Sequence, residues 1–213
     1  EAPHIDAAAH QAASSPLNDR PEPTDAQKAA GNYVKGHVRL SGMDVSIETP
    51  KGAERRSKAD AAEPWKVTMP AHYGYIKRTM GADGDHVDLF IGDRGDNGRF
   101  WVINQHHAGQ PGKFDEHKVV TDVDGADEAV QVYKASFANG FGDKVFTSIS
   151  AEHGADGLKA LLPRLEKARP VKAAPAAAPT THADPEPSAK KQLKNAGSSA
   201  NTPMAPPAPA AGS

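Results

Sequence analysis

Three carboxylates lie within six residues of the segment YGYIKRTMGADGDHVDLFI, at Asp83, Asp85 and Asp88. The first two flank a glycine, which indicates a turn, and the third begins an apolar run that is typical of a strand. Carboxylates held this close repel one another unless a cation neutralises them. Oxygen-only ligands of this kind suit Mg²⁺, Mn²⁺ or Ca²⁺.

The spacing of the three acids excludes one kind of cation site and leaves others open. An EF-hand calcium loop needs an oxygen ligand at its fifth position and glycine at its sixth, where this chain has Val87 and Asp88, so that motif is excluded. A solvated Asp/Gly turn without a ligand stays open as an alternative. A carboxylate inside an apolar strand, as at Asp88, is unfavourable without a partner, and this favours a site.

Two other segments carry charges that could join the acidic one. Glu48 ends a predicted strand, and the loop after it is basic, with Lys51, Arg55, Arg56 and Lys58. Asp115 and Glu116 open another predicted strand, which also carries Lys118. Acids that bind divalent cations, combined with Lys and Arg side chains that hold an anion, are typical of metal-assisted phosphoryl hydrolysis.

The elements that would position these residues lie between residues 31 and 169, where every Tyr, Trp and Phe of the chain is found. Short apolar or alternating runs separated by Gly, Pro and Asp predict six strands: His37–Leu40, Met43–Ile47, Trp65–Met69, His86–Ile91, Phe100–Asn104 and Lys118–Val123. Helices are predicted at Asp127–Ala138 and from residue 150 or 151 to about 162. The pattern predicts a mainly β (α+β) protein, either a β-barrel or a strongly curved sheet.

The two ends of the chain differ from this central domain. Residues 1–30 are rich in Ala, Pro and polar residues, and we expect a flexible arm with a short helix near 24–30. Residues 170–213 offer almost nothing to bury and predict a disordered Ala/Pro-rich tail.

Composition excludes several classes of protein. The 213 residues include no Cys, so disulfides, thiolate zinc sites and a cysteine nucleophile are excluded. A net charge of −2 argues against non-specific nucleic-acid binding, which needs a basic surface. No apolar run is long enough to predict a membrane span, and we expect a cytoplasmic protein.

The segment AHYGYIKRTMGADGDHVDLFI resembles the signature region of soluble family I inorganic pyrophosphatases, in which a Tyr-Gly-Tyr/Phe-Ile strand precedes Asp-Gly-Asp-Pro-hydrophobic-Asp. The span from Val38 to about Val120 also resembles the pyrophosphatase-like domain of large polyvalent proteins of phages and plasmids, through its ETPKG, MPAHYGYIK, GADGDHVDLFIG and FDEHKV segments. The resemblance implies a small closed antiparallel β-barrel of the OB type, flanked by C-terminal helices, with the site at the barrel mouth.

The resemblance also implies roles for the acidic segment. Asp83 and Asp88 match metal ligands, and Asp85 matches the carboxylate that also contacts metal and takes a proton from the attacking water. Tyr73 matches a tyrosine that contacts phosphate, and Glu48 resembles the acid on an early strand. The implied cofactor is Mg²⁺, with Mn²⁺ as an alternative, and the implied ligand is pyrophosphate or a related phosphoanhydride.

Later positions match less closely. Glu116 resembles a metal ligand, Asp115 replaces an acid that the family places earlier, and Lys118 resembles a phosphate-binding lysine. Tyr133 and Lys134 lie where the family has a Tyr-Lys pair on a helix, although Tyr133 fits the apolar face equally well. The basic residues after Glu48 do not align singly, so they are alternatives for one or two phosphate-binding roles.

Departures from the family pattern leave two further functions open. Met69 stands where the family usually has a tyrosine, and His86 replaces the proline after Asp-Gly-Asp. One alternative is a non-catalytic binding module of a mobile-element protein. The other is a phosphohydrolase that acts on a nucleotide or another phosphoanhydride.

Overall fold

Strands whose central members are buried on both faces form one large sheet in the computed structural model, which describes residues 2–175. Within these residues there are ten strands: β1 (Gly36–Leu40), β2 (Met43–Thr49), β3 (Glu54–Arg56), β4 (Lys66–Thr68), β5 (His72–Ile76), β6 (Asp88–Ile91), β7 (Arg99–His106), β8 (Phe114–Thr121), β9 (Phe146–Ile149) and β10 (His153–Gly154). The five short α-helices in the same range are α1 (Pro3–Ala9), α2 (Asp25–Ala29), α3 (Ala126–Ala135), α4 (Phe141–Val145) and α5 (Ala155–Leu165). The mainly β prediction is confirmed.

The sheet is mixed and open. Its strands follow the order β1-β2-β5-β6-β8-β7-β10, and β9 also pairs with β7. All pairs are antiparallel except β6 with β8, which are parallel. The short hairpin of β3 and β4 forms a separate two-stranded sheet. The predicted closed antiparallel barrel is therefore wrong, because β1 and β10 are the ends of an open path.

Helix α1 packs against the sheet beside β1. Ile5 and Ala9 of this helix are buried in the core beside the strands. The helix backbone comes so close to β1 that a Cβ at Gly36 would lie 2.3 Å from the carbonyl oxygen of Ala8. The helix thus packs closely on one face of the sheet at β1.

Part of the N-terminal segment, for which we expected a flexible arm, packs against the rest of the chain. Besides α1, residues Ala12 and Ala13 are buried, and the amide of Ala13 donates to the carbonyl of Val34. The predicted short helix is confirmed as α2, where Thr24 and Gln27 form a reciprocal capping box. At the other end, residues 170–175 lie beside the sheet, and the rest of the predicted tail lies outside the described residues.

Two buried clusters flank the sheet. One includes Ile47, Leu89 and Val119 and packs against α1 and α5. The other includes Phe90, Trp101 and Tyr133 and packs against α3. Successive residues of one strand point to opposite faces, so Leu89 joins the first cluster and Phe90 the second. Among residues 2–175, no helix is long and apolar enough to cross a membrane.

The predicted strands and helices match the structure in outline, with shifted ends. The run at residues 118–123 extends back to Phe114 and ends at Thr121, because Asp122 adopts a left-handed backbone conformation (φ 58°). The second predicted helix starts at Ala155, after β10. The apolar pattern missed β3, β5, β9, β10, α1 and α4, which are short and leave little periodicity to detect. Only the family resemblance indicated a strand at the position of β5.

Candidate active site

Three neighbouring strands bring together a tyrosine, two acids and a lysine. Asp88 at the start of β6 stands in register with Lys118 on β8. The hydroxyl of Tyr73, on β5, donates to Oδ2 of Asp88 at 2.8 Å. Lys118 donates to the same oxygen and, at 2.7 Å, to Oε2 of Glu116. The order of the strands thus brings side chains that are far apart in sequence into one hydrogen-bonded group. We call this group the acid–lysine cluster (Tyr73, Asp88, Glu116 and Lys118).

The neighbours of Lys118 keep this buried lysine charged. The Lys118 side chain is only 9% exposed. Burial disfavours its charge, but Tyr73, Asp88 and Glu116 favour it more strongly, and the net effect raises the pKa of Lys118 above its usual range. The lysine therefore stays charged between two carboxylates.

Gln105 on β7 extends the cluster and was not predicted from the sequence. Its amide nitrogen donates to Oδ2 of Asp115 at 3.1 Å and to Oε1 of Glu116 at 3.0 Å. Its amide oxygen accepts from the hydroxyl of the fully buried Tyr133 at 2.7 Å. The sequence offers one signal for this residue, an amide on a strand that is largely apolar. A buried amide requires polar partners, so such a residue indicates a polar group nearby.

Two half-buried glutamates have pKa values that are raised in part by neighbouring acids. Burial is the main cause that raises the pKa of Glu48, and the charge of Asp88 adds to it, while Lys35 opposes it from 3.5 Å. Burial likewise raises the pKa of Glu116, with Lys118 opposing and the charges of Asp88 and Asp83 adding to the rise. Carboxylates around this site thus repel one another, as expected of groups that accept a cation.

The turn before β6 carries the other two predicted acids. The amide of Asp85 donates to Oδ1 of Asp83 at 3.2 Å, and Gly84 adopts a left-handed conformation (φ 90°) that glycine allows without strain. Both acids are largely accessible to solvent. The turn places them at the entrance to β6, near the acid–lysine cluster.

The donor chemistry fits a hard divalent cation, because every acid near the cluster offers carboxylate oxygen. Within residues 2–175, however, no three His, Asp or Glu side chains are grouped closely enough to hold a metal ion. The charges of Asp88 and Asp83 both act on Glu116, and Lys118 neutralises Asp88 and Glu116.

Arg55, Arg56 and Lys58, here called the basic wall, line a cavity beside Tyr73 of the cluster. The guanidinium of Arg55 stacks over the Tyr73 ring, 4.3 Å from its centroid. Both residues line a cavity of about 520 Å³, together with Glu48, Arg56 and Lys58. The structure therefore brings the predicted basic loop to the predicted phosphate-contacting tyrosine.

The remaining predicted residues have other partners. Lys51 pairs with Asp93, and Lys134 pairs with Asp143 at 2.8 Å. Oδ1 of Asp115 lies 3.0 Å from Nδ1 of His107, and Oδ2 accepts from Gln105. Tyr133 reaches the acids only through Gln105, so its predicted contact with a ligand would be indirect.

Comparison with known proteins shows a family and a weak likeness to solved structures. A family model described as Inorganic Pyrophosphatase matches residues 25–159, which is more than half of the chain. No curated protein matches. Among solved structures, the inorganic pyrophosphatase of Helicobacter pylori matches at 14% identity with a TM-score of 0.31, over 62% of this chain and 91% of that one.

Proposed function

Because the chain belongs to the inorganic pyrophosphatase family, we propose that it hydrolyses inorganic pyrophosphate to phosphate. The observation that supports this most directly is the acid–lysine cluster, in which Lys118 joins Asp88 to Glu116 and Tyr73 donates to Asp88. A hydrolase of phosphoanhydrides needs acids for cations and cations for phosphate at one place, and this cluster supplies both beside a basic wall.

The proposed roles follow from position. Asp85, accessible on its turn, takes the proton of the attacking water. Arg55 and Lys118 stabilise the negative charge that collects on the departing phosphate. Tyr73 has a single hydroxyl proton, so it donates to the same charge only by turning that proton from Asp88 toward the phosphate. Arg56 and Lys58 line the same cavity and attract the anion.

Asp83, Asp88 and Glu116 are the proposed ligands of Mg²⁺ or Mn²⁺, with Asp85 and Asp115 as further candidates. When bound, such a cation neutralises phosphate oxygens and lowers the pKa of water. Lys118 can then release part of its contact with Asp88 and turn toward phosphate. A cytoplasmic location and a place in a phage or plasmid polyvalent protein remain parts of the proposal that rest on the sequence.

A non-catalytic binding module is the second candidate, and two observations favour it. Met69 is buried in the core, 1% exposed, so it offers no hydroxyl where the family usually has a tyrosine. The acids among residues 2–175 are also not gathered into a metal cluster before a ligand arrives.

Phosphate release from pyrophosphate by the purified full chain, with and without Mg²⁺, tests the proposal. We expect turnover that depends on the cation and disappears with a chelator. Binding of pyrophosphate without phosphate release would favour the non-catalytic module. Release from nucleotides but not from pyrophosphate would assign the chain to the other phosphohydrolases.

A further inference from the structure

A second cavity lies beside the basic wall, between the β3–β4 hairpin and the turn from α3 to α4. Its volume is about 400 Å³. Three aromatic and three polar side chains characterise this aromatic pocket: Trp65, Phe137, Phe141, Arg55, Asn139 and Lys144. Planar rings and cations on one wall are the groups that bind a planar, negatively charged ligand.

Two of the aromatic residues in the pocket are partly accessible to solvent. Trp65 and Phe141 are each 38% exposed, and they are the aromatic members of the exposed large hydrophobic side chains within residues 2–175. Both line the same pocket although they belong to different elements, the hairpin and α4. Accessible ring faces in a concave place are available to stack on a planar ligand.

The pocket is connected to the acid–lysine cluster on two sides. Arg55 lines both cavities and stacks on Tyr73. Phe137 packs on Tyr133 with ring centroids 5.0 Å apart, and Tyr133 donates to Gln105 of the cluster. A ligand with a ring in the pocket could therefore place its phosphates at Arg55, next to the catalytic acids.

Asn139 gives the pocket a side-chain amide that can form hydrogen bonds with a ligand. Its backbone is left-handed (φ 54°), a conformation that asparagine tolerates better than most residues. The amide both donates and accepts, and Glu63 adds an acceptor on the same pocket. This combination matches the edge of a nucleobase, which presents donors and acceptors side by side.

We propose that the aromatic pocket binds the base of a nucleoside polyphosphate, with its phosphates directed to Arg55 and Lys144. Trp65 and Phe141 provide the stacking faces, and Asn139 contacts the edge of the base. The proposal concerns binding alone and holds whether or not the chain hydrolyses pyrophosphate.

The test compares two ligands that differ by the nucleoside. ATP and inorganic tripolyphosphate are titrated calorimetrically into the Asp85→Asn full chain, and the fluorescence of Trp65 is followed in parallel. The second tryptophan, Trp101, is buried, so quenching by a stacked base reports on Trp65. We expect ATP to bind about 5- to 140-fold more tightly than tripolyphosphate, the range that stacking of one base contributes.

Variants of the pocket show whether it is responsible for the preference for ATP over tripolyphosphate. Trp65→Ala and Phe141→Ala should each reduce the preference for ATP, whereas Met80→Ala, which removes an exposed side chain elsewhere, should leave it unchanged. Circular dichroism and the affinity for tripolyphosphate show whether each variant is folded. Equal affinities for the two ligands, or an ATP preference that survives both pocket variants, would overturn the proposal.

Phosphate release from pyrophosphate by the unmodified chain separates this proposal from the proposed function. Turnover of pyrophosphate without any preference for ATP would overturn the nucleotide site and leave the hydrolase in place. A preference for ATP without turnover would support the nucleotide site and contradict the hydrolase.

Discussion

The hydroxyl of Tyr73 lies 2.8 Å from Oδ2 of Asp88, and Lys118 donates to the same oxygen. Two donors on one oxygen hold the carboxylate in place at the start of an otherwise apolar strand. Within residues 2–175 the other oxygen of Asp88 accepts no hydrogen bond, so it can contact a cation without displacing either donor. Tyr73 thus orients an acid as well as facing the proposed phosphate.

Replacing Tyr73 by Phe removes this hydroxyl and keeps the ring that packs on Arg55 and Phe90. We expect phosphate release from pyrophosphate to fall about 10- to 100-fold, because a hydrogen bond to a charged group contributes about 1.5–3 kcal/mol. Steady-state kinetics measures the change. Tyr75→Phe, two residues along the same strand, is the matched control and should retain activity. Full activity of Tyr73→Phe would contradict the role of the hydroxyl.

Lys118→Met leaves two buried carboxylates without their shared cation. We expect the free energy of unfolding to fall by about 3–5 kcal/mol, as happens when one partner of a buried ion pair is removed. Urea denaturation measures it. The double variant Lys118→Met/Glu116→Gln should recover part of the loss, because one of the stranded charges is gone. If the single variant is as stable as the unmodified chain, the lysine does not neutralise these acids.

Much of this cluster could be predicted from the sequence, but its connections could not. Apolar alternation located most of β6 and β8, and the charged residues on them stood out against that pattern. The bond from Lys118 to Asp88 depends on β6 and β8 being parallel neighbours, which is a property of the whole sheet. Gln105 carries no charge and stands among polar neighbours, Asn104 and His106, at the end of its strand, so nothing local distinguishes it from a structural amide.

The packing of the N-terminal segment could not be predicted from the sequence. Its few apolar residues, such as Ile5 and Ala9, are too sparse to predict a packed helix. They are buried because Gly36 lets the helix backbone approach β1 closely. Only the pairing of two distant segments creates that contact, so composition alone indicated an arm.

Asp85→Asn tests the proposed general base. Asp85 is exposed on its turn, so the change should leave the free energy of unfolding nearly unaltered. Turnover should fall about 100- to 10,000-fold, the range of a positioned general base. Asp156→Asn, an exposed acid on α5, controls for the loss of one negative charge. Equal losses in the two variants would mean that Asp85 has no special part in the reaction.

Glu48 predicts a dependence of stability on pH. Burial, with a contribution from Asp88, raises its pKa above the ordinary 4.5, so the folded chain holds a proton that the unfolded chain has released. Stability from this group is therefore present at low pH and is lost as pH rises from about 4.5 through the raised value.

Glu48→Gln removes this titration while keeping the shape of the side chain. Urea denaturation from about pH 4 to pH 7 should show the variant gaining stability relative to the unmodified chain as pH increases. Glu152→Gln is the matched control, because the exposed Glu152 has its pKa lowered by a hydrogen bond from Arg99 and should produce a difference of the opposite sign. A relative stability of Glu48→Gln that falls with pH would show that the charged form of Glu48 is favoured in the fold. The pair with Lys35 would then outweigh burial and the repulsion from Asp88.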